Sequence, residues 1–156
     1  MQSSAFRASF GARQMRTILV AVDGSDASFR ALDFAARQAA GRDDVLLHIL
    51  YVRAPLRVYG EIEVYATAER MTELATKAAA MILEDARRHV AATVRAVDTE
   101  QLEGDAGETI VRRATELACE CIVMGTHGRG RLASAVLGSV AYRVVHLSGV
   151  AVTLVR

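Results

Sequence analysis

The sequence predicts an α/β fold, an open five-stranded parallel sheet of Rossmann-like type with helices on both faces. Three observations carry that expectation. The runs VLLHILYV (45–52) and CIVMG (121–125) are continuously apolar, as strands covered on both faces are. Strand-like runs alternate with stretches of helical spacing along the chain, which argues for parallel strands joined by helices. Glycines follow the first and fourth of these runs, where strands give way to turns.

In chain order, TILVAVD (17–23) is a short β-branched run that ends at an acid and is followed by GSDAS, a turn and helix-start signal. Ala27, Ala31, Leu32, Phe34, Ala35 and Ala39 then form a helical stripe from Ser25 to Ala40, closed by Gly41. The run 45–52 is a central strand, and a loop spans Pro55 to Gly60. One long helix is expected from Tyr65 to Val94, with Met71, Leu74, Ala78, Ile82 and Leu83 at near-helical spacing. VRAVDTEQLEG (94–104) is a weak strand suited to a sheet edge. ETIVRRATELA (108–118) is a helix with Ile110, Val111, Ala114, Leu117 and Ala118 inward. After the buried strand 121–125, AVLGSVAYRVVHL (135–147) has helical spacing through Val136, Val140, Val144 and Leu147, and VAVTLVR (150–156) is the last strand.

The formal net charge of +1 gives no bulk electrostatic case for nucleic acid or an anionic membrane. No apolar run reaches the roughly 20 residues that span a bilayer. Residues 1–15 carry Arg7 and Arg13, several serines and no acid, and are expected to be a flexible tail before a single domain at 16–156. Cys119 and Cys121 form a CxC without a second pair or a histidine at finger spacing, so buried reduced thiols in a cytosolic compartment are expected rather than zinc.

Ligands of open parallel sheets bind beyond the carboxyl ends of strands where the strand order reverses. With order 3-2-1-4-5, Asp23-Gly24-Ser25 and Gly125-Thr126-His127-Gly128 would line one crevice. GTHGRGRLASAVLGS (125–139) is neither a Walker A loop nor a clean GxGxxG; it reads Gly-x-x-Gly, nine residues, then Gly-Ser. Gly125 and Gly128 would let a loop wrap a sugar and phosphates, and Gly138-Ser139 near a helix start would offer N–H groups and a hydroxyl to anionic oxygen. This motif, with ILVAVDGSDAS, LLHILYV and VTLV, resembles the nucleotide-binding universal stress proteins from Arg16 to Arg156.

That resemblance implies bound ATP. Asp23 would approach the adenosine, the Ile49 backbone would read adenine, and Gly125 and Gly128 would form the ribose and phosphate loop. Gly138, Ser139 and Val140 would hold the phosphates, with Mg2+ bridging them rather than sitting in a protein cage. It also implies a homodimer through the last strand (150–156), whose unpaired edge a second copy would satisfy. The sequence departs from the family at Ala106 and Ala151, where proline is frequent. The function expected is a cytosolic stress-response or regulatory nucleotide sensor without rapid turnover and with no catalytic residue assigned. Three rivals stand beside it: a slow ATPase or phosphotransferase using His127 or Ser139, a nucleotide-free dimeric interaction module, and an electron-transfer flavoprotein of similar topology, for which the sequence has no recognisable flavin signature. Arg129 and Arg131 are equally phosphate ligands or solvated loop residues, and His48 is expected to be a satisfied buried histidine.

Overall fold

Residues Thr17, Ile18, Leu19 and Val20 are all buried, which suits a strand packed on both faces. In the computed structural model, which describes residues 15–55, 62–128 and 137–156, they form the centre of β1 (Arg16–Ala21). The chain continues through α1 (Asp26–Ala39), β2 (Val45–Arg53), α2 (Ile62–Val90) and β3 (Ala96–Glu103). It ends with α3 (Ala106–Glu116), β4 (Cys121–Gly125), α4 (Ser139–Leu147) and β5 (Ala151–Val155). The five strands form one parallel sheet in the order β3-β2-β1-β4-β5, as expected from the sequence.

Side-chain alternation along the strands divides the core into two layers. Ile18, Val20, Leu47, Ile49 and Val123 pack with Leu32 and Ala35 of α1 and Leu83 and Ala86 of α2. Leu19, Leu50, Ile122 and Met124 pack on the other face with Ile110 and Ala114 of α3 and Ala141 and Val144 of α4. Each fully buried leucine or isoleucine stabilises the fold by about 1.5–3 kcal/mol.

Helix α1 starts where the sequence places it. Ser25 is its N-cap, the Oγ accepting from the Ser28 amide at 3.2 Å. Asp105 caps α3 in the same way, accepting from the Glu108 amide at 3.0 Å. Ala106 therefore occupies the first helical position, where proline is favoured but alanine is equally compatible with helix.

Three expectations are corrected. On α2 the buried face is Ala79, Leu83, Ala86 and Val90, with Ile82 half-buried, whereas Met71, Leu74, Ala78 and Met81 face solvent. Two apolar stripes share this helix, and periodicity alone cannot say which one meets the sheet; the alanine-rich one does, because it lets the helix lie close. Ala118 is exposed, adopts φ +50°, and lies just beyond the end of α3 rather than on its inner face. Helix α4 begins at Ser139, not at 135, because Gly138 is its extended N-cap. The tail 1–14, most of the loop 55–60, Val136, Arg129 and Arg131 lie outside the described residues.

His48 is buried as expected, its side chain only 2% exposed. Its Nε2 lies 2.8 Å from Glu100 Oε2 and its Nδ1 3.4 Å from Asp98 Oδ2, while Arg113 Nε donates to the same Glu100 oxygen at 2.7 Å. The cluster ties edge strand β3 to β2 and to α3. The hydrogen bond from His48 holds the Asp98 carboxyl below its ordinary range. A depressed carboxylate stabilises the fold above its unfolded pKa, about 3.9, and that contribution is lost as pH falls through the folded value. The unfolding midpoint of the wild type should therefore drop between about pH 5 and pH 3 more steeply than that of Asp98→Asn, measured by thermal melts.

Candidate nucleotide site

The chain turns back at β1: β2 and β3 lie to one side, β4 and β5 to the other. At the carboxyl ends of β1 and β4 opens a cavity of about 270 Å³. One wall is apolar, formed by Leu50 and Val52 of β2, Ile110 of α3 and Met124 of β4. The other is polar main chain and short side chains: Asp23, Thr126, His127, Gly128, Gly138, Ser139 and Val140.

Asp23 follows β1 and is fixed by the turn it enters. Its Oδ1 accepts from the Ser25 amide at 3.0 Å and from Ser25 Oγ at 2.6 Å. Gly24 between them adopts φ +81°, which favours glycine. The acid thus supports the α1 cap through Ser25 and also borders the cavity, so holding the helix start does not remove it from a ligand's reach. Across the cavity mouth, a Cβ on Gly128 would lie 2.5 Å from Asp23 Oδ2, so the loop backbone abuts the carboxylate.

Gly125 and Gly138 meet different demands. A Cβ on Gly125 would stand 2.9 Å from the Ala27 carbonyl carbon and Cβ, where α1 crosses β4. Its absence of a side chain serves packing as well as the cavity. A Cβ on Gly138 would come 3.1 Å from the Thr126 carbonyl oxygen, and the Gly138 amide donates to that oxygen at 2.8 Å. Its N–H is therefore committed to the loop. The first helical hydrogen bond runs from the Tyr142 amide to the Gly138 carbonyl at 2.9 Å.

This leaves the amides of Ser139, Val140 and Ala141 in the first turn of α4, which have no partner within a helix. Unlike α1 and α3, α4 has neither a side-chain cap nor an acid in its first turn. Its positive dipole end opens on the cavity, an arrangement suited to anionic oxygen. Thr126 joins the loop to the sheet edge, its amide donating to the Val155 carbonyl at 2.9 Å. His127 Nδ1 lies 3.0 Å from Thr126 Oγ1.

Six of the seven residues singled out in the sequence thus border one cavity: Asp23, Gly125, Gly128, Gly138, Ser139 and Val140. Ile49 does not. It is fully buried inside the sheet, in register with Val20 and Thr99, its side chain in the layer under α1 and α2. Leu50 and Val52 are the β2 residues that reach the cavity. Strand alternation could have picked them out, since they share a face with His48. Ile110 and Met124 were legible only as core. Among the described residues no cluster of three or more His, Cys, Asp or Glu side chains is placed to hold a metal ion. Neither Cys119 nor Cys121 is in a disulfide, and burial, then Glu120, pushes the Cys121 thiol above its ordinary pKa.

A profile of the universal stress protein family matches residues 15–156. The chain is 33% identical over 145 residues to universal stress protein YxiE of Bacillus subtilis, covering 89% of this chain and 97% of that one. The solved structure of universal stress protein UspA from Lactobacillus plantarum superposes with TM-score 0.80 at 26% identity, over 94% of this chain and 100% of that one. A universal stress protein crystallised in complex with cAMP superposes with TM-score 0.64 at 28% identity, over 92% of this chain and 98% of that one. The motif, the sheet order and these matches agree: the chain belongs to the universal stress protein family.

Proposed function

We propose that this chain binds an adenine nucleotide, ATP with Mg2+, and acts as a cytosolic stress-response regulator that senses the nucleotide without rapid turnover. The observation that carries the reading is the α4 N-terminus, without side-chain cap or acid, opening into a cavity also lined by the apolar Leu50, Val52, Ile110 and Met124. Phosphates would sit at the amides of Ser139 and Val140 and the Ser139 hydroxyl. The base would lie against Leu50, Val52, Ile110 and Met124, with the ribose over the contact between the Asp23 carboxylate and the Gly128 backbone. The Leu50 and Val52 side chains would flank the base beside the Ile49 backbone, to which the family resemblance gives the reading of adenine. Magnesium supplies charge neutralisation of the phosphate oxygens, and the chain's own part is to position those oxygens and exclude competing water.

The relative in complex with cAMP supports an adenine nucleotide as the ligand class. The exposed helix end favours the species with more phosphate. Nucleotide would select the conformer whose loop is closed on α4, and that population shift is the signal. The homodimer proposed through β5 rests on its place at the sheet edge, where backbone groups on one side lack a strand partner within the sheet.

Calorimetric titration of the full chain with Mg-ATP, AMP, cAMP and Mg-GTP tests the reading. ATP should bind more tightly than AMP or GTP, and phosphate release over the titration should stay below one equivalent per chain. Absence of heat with every adenine nucleotide would overturn the proposal. Multiple turnovers would move the protein to the slow-ATPase class.

A further inference from the structure

The solvent face of α2 holds an apolar stripe that neither the core nor the nucleotide site uses. Met71, Leu74 and Met81 are 53%, 60% and 68% exposed, and Ala78 between them is exposed as well. Their spacing, i, i+3, i+7 and i+10, is that of a coiled-coil seam, about 15 Å long at 1.5 Å per residue. Asp85 follows one turn beyond Met81 in the same line and ends it.

We propose that this stripe is a self-association surface, on which α2 pairs antiparallel with α2 of a second copy. The stripe is complementary to itself when reversed. A two-fold axis level with residue 76 sets Met71 against Met81 of the second copy and Leu74 against Ala78, so a large side chain meets a small one on each side of the axis. The charges beside the seam agree with that register. Arg70 and Glu84 flank it on the same side, and the antiparallel arrangement brings each Arg70 to the Glu84 of the other copy, twice per pair. Among the described residues Arg70 has no ion-pair partner within its own chain, and Glu84 has only Arg88 at 3.6 Å. Near the axis the two Lys77 side chains approach one another, each already bridged to Glu73 at 2.6 Å. A parallel pairing would instead set Arg70 near Ala75 and Glu84 near His89 of the other copy, and would form no Arg70–Glu84 pair.

The surface is independent of the edge strand. Helix α2 packs over β2 and β3, at the end of the sheet opposite β5. A copy docked on α2 therefore leaves β5 accessible, and the two contacts together would join more than two chains. A seam of four residues is short against the roughly 800 Å² per partner of a standard stable interface, so the association is weak and concentration-dependent.

Sedimentation velocity of the full chain without nucleotide, over a series reaching high micromolar concentration, is the test. Wild type should show an association step that Leu74→Glu removes, while circular dichroism shows that the helix content is kept. Arg70→Glu and Glu84→Arg should each weaken the step about threefold or more, and the double exchange should restore it. Restoration separates a paired interface from general damage to α2. Identical sedimentation of wild type and Leu74→Glu at every concentration would overturn the proposal. So would a double exchange that associates no better than either single variant.

Discussion

Replacing Ser139 with aspartate should abolish nucleotide binding while leaving the protein as stable as before, or more so. The two effects have one cause. Ser139 is the first residue of α4, whose first turn has no acid and whose cap has no side-chain hydrogen bond. A carboxylate there meets the positive end of the helix and should add about 0.3–1 kcal/mol to stability. The same carboxylate would stand where the proposed phosphates lie. Two unit charges 4 Å apart repel by about 4 kcal/mol at an effective dielectric of 20. Affinity for Mg-ATP should therefore fall by a factor of at least about one hundred, equivalent to roughly 2.7 kcal/mol. Calorimetry beside a thermal melt reads both. Retained affinity in a stable variant would place the phosphates elsewhere than α4.

The second large effect separates two glycines that look alike in the motif. Gly125→Ala should destabilise the fold by about 3 kcal/mol, the upper end for overpacking a close-packed site. The added methyl would stand 2.9 Å from Ala27 carbon atoms and 3.1 Å from its carbonyl oxygen, and backbone cannot rotate away as a long side chain can. For a domain of this size that corresponds to a melting point lower by roughly 6–12 °C. Among the described residues Gly128→Ala meets the Asp23 carboxylate, at 2.5 Å, which has a side-chain torsion with which to respond. Its melting point should move much less than that of Gly125→Ala. Comparable losses in the two variants would mean that α1 yields at Ala27 and that the crossing is looser than the structure indicates.

Gly125 also marks where sequence reading reached its limit. The sheet order and the gathering of Asp23, Gly128, Ser139 and Val140 were legible because strand ends are linear signals: an apolar run, an acid, a glycine. What the glycine at 125 avoids was not, since Ala27 is remote in sequence and only the crossing of α1 over β4 brings it near. At Ile49 the resemblance concerns main chain, which side-chain periodicity does not report; the β2 side chains that reach the cavity are those of Leu50 and Val52. On α2 the period was read as helical, but the named stripe mixes two sides, Leu83 buried and Ile82 half-buried while Met71, Leu74 and Ala78 face solvent, because a helix with two apolar stripes gives one period for both.

Thr126 has a consequence of a different kind. Its amide holds the last carbonyl of the β5 strand, and its carbonyl holds the amide that caps α4. One residue therefore links the outermost strand of the sheet to the helix end proposed for phosphate, through hydrogen bonds of 2.9 and 2.8 Å from its two flanking peptide groups. A displacement of either end pulls on the other through a single residue. If that relay carries free energy between them, the exchange is mutual: whatever factor the nucleotide applies to the pairing of two chains at β5, pairing must apply to the affinity for nucleotide. Protein concentration would then set the ligand threshold, and a cell could tune the sensor simply by how much of it is made.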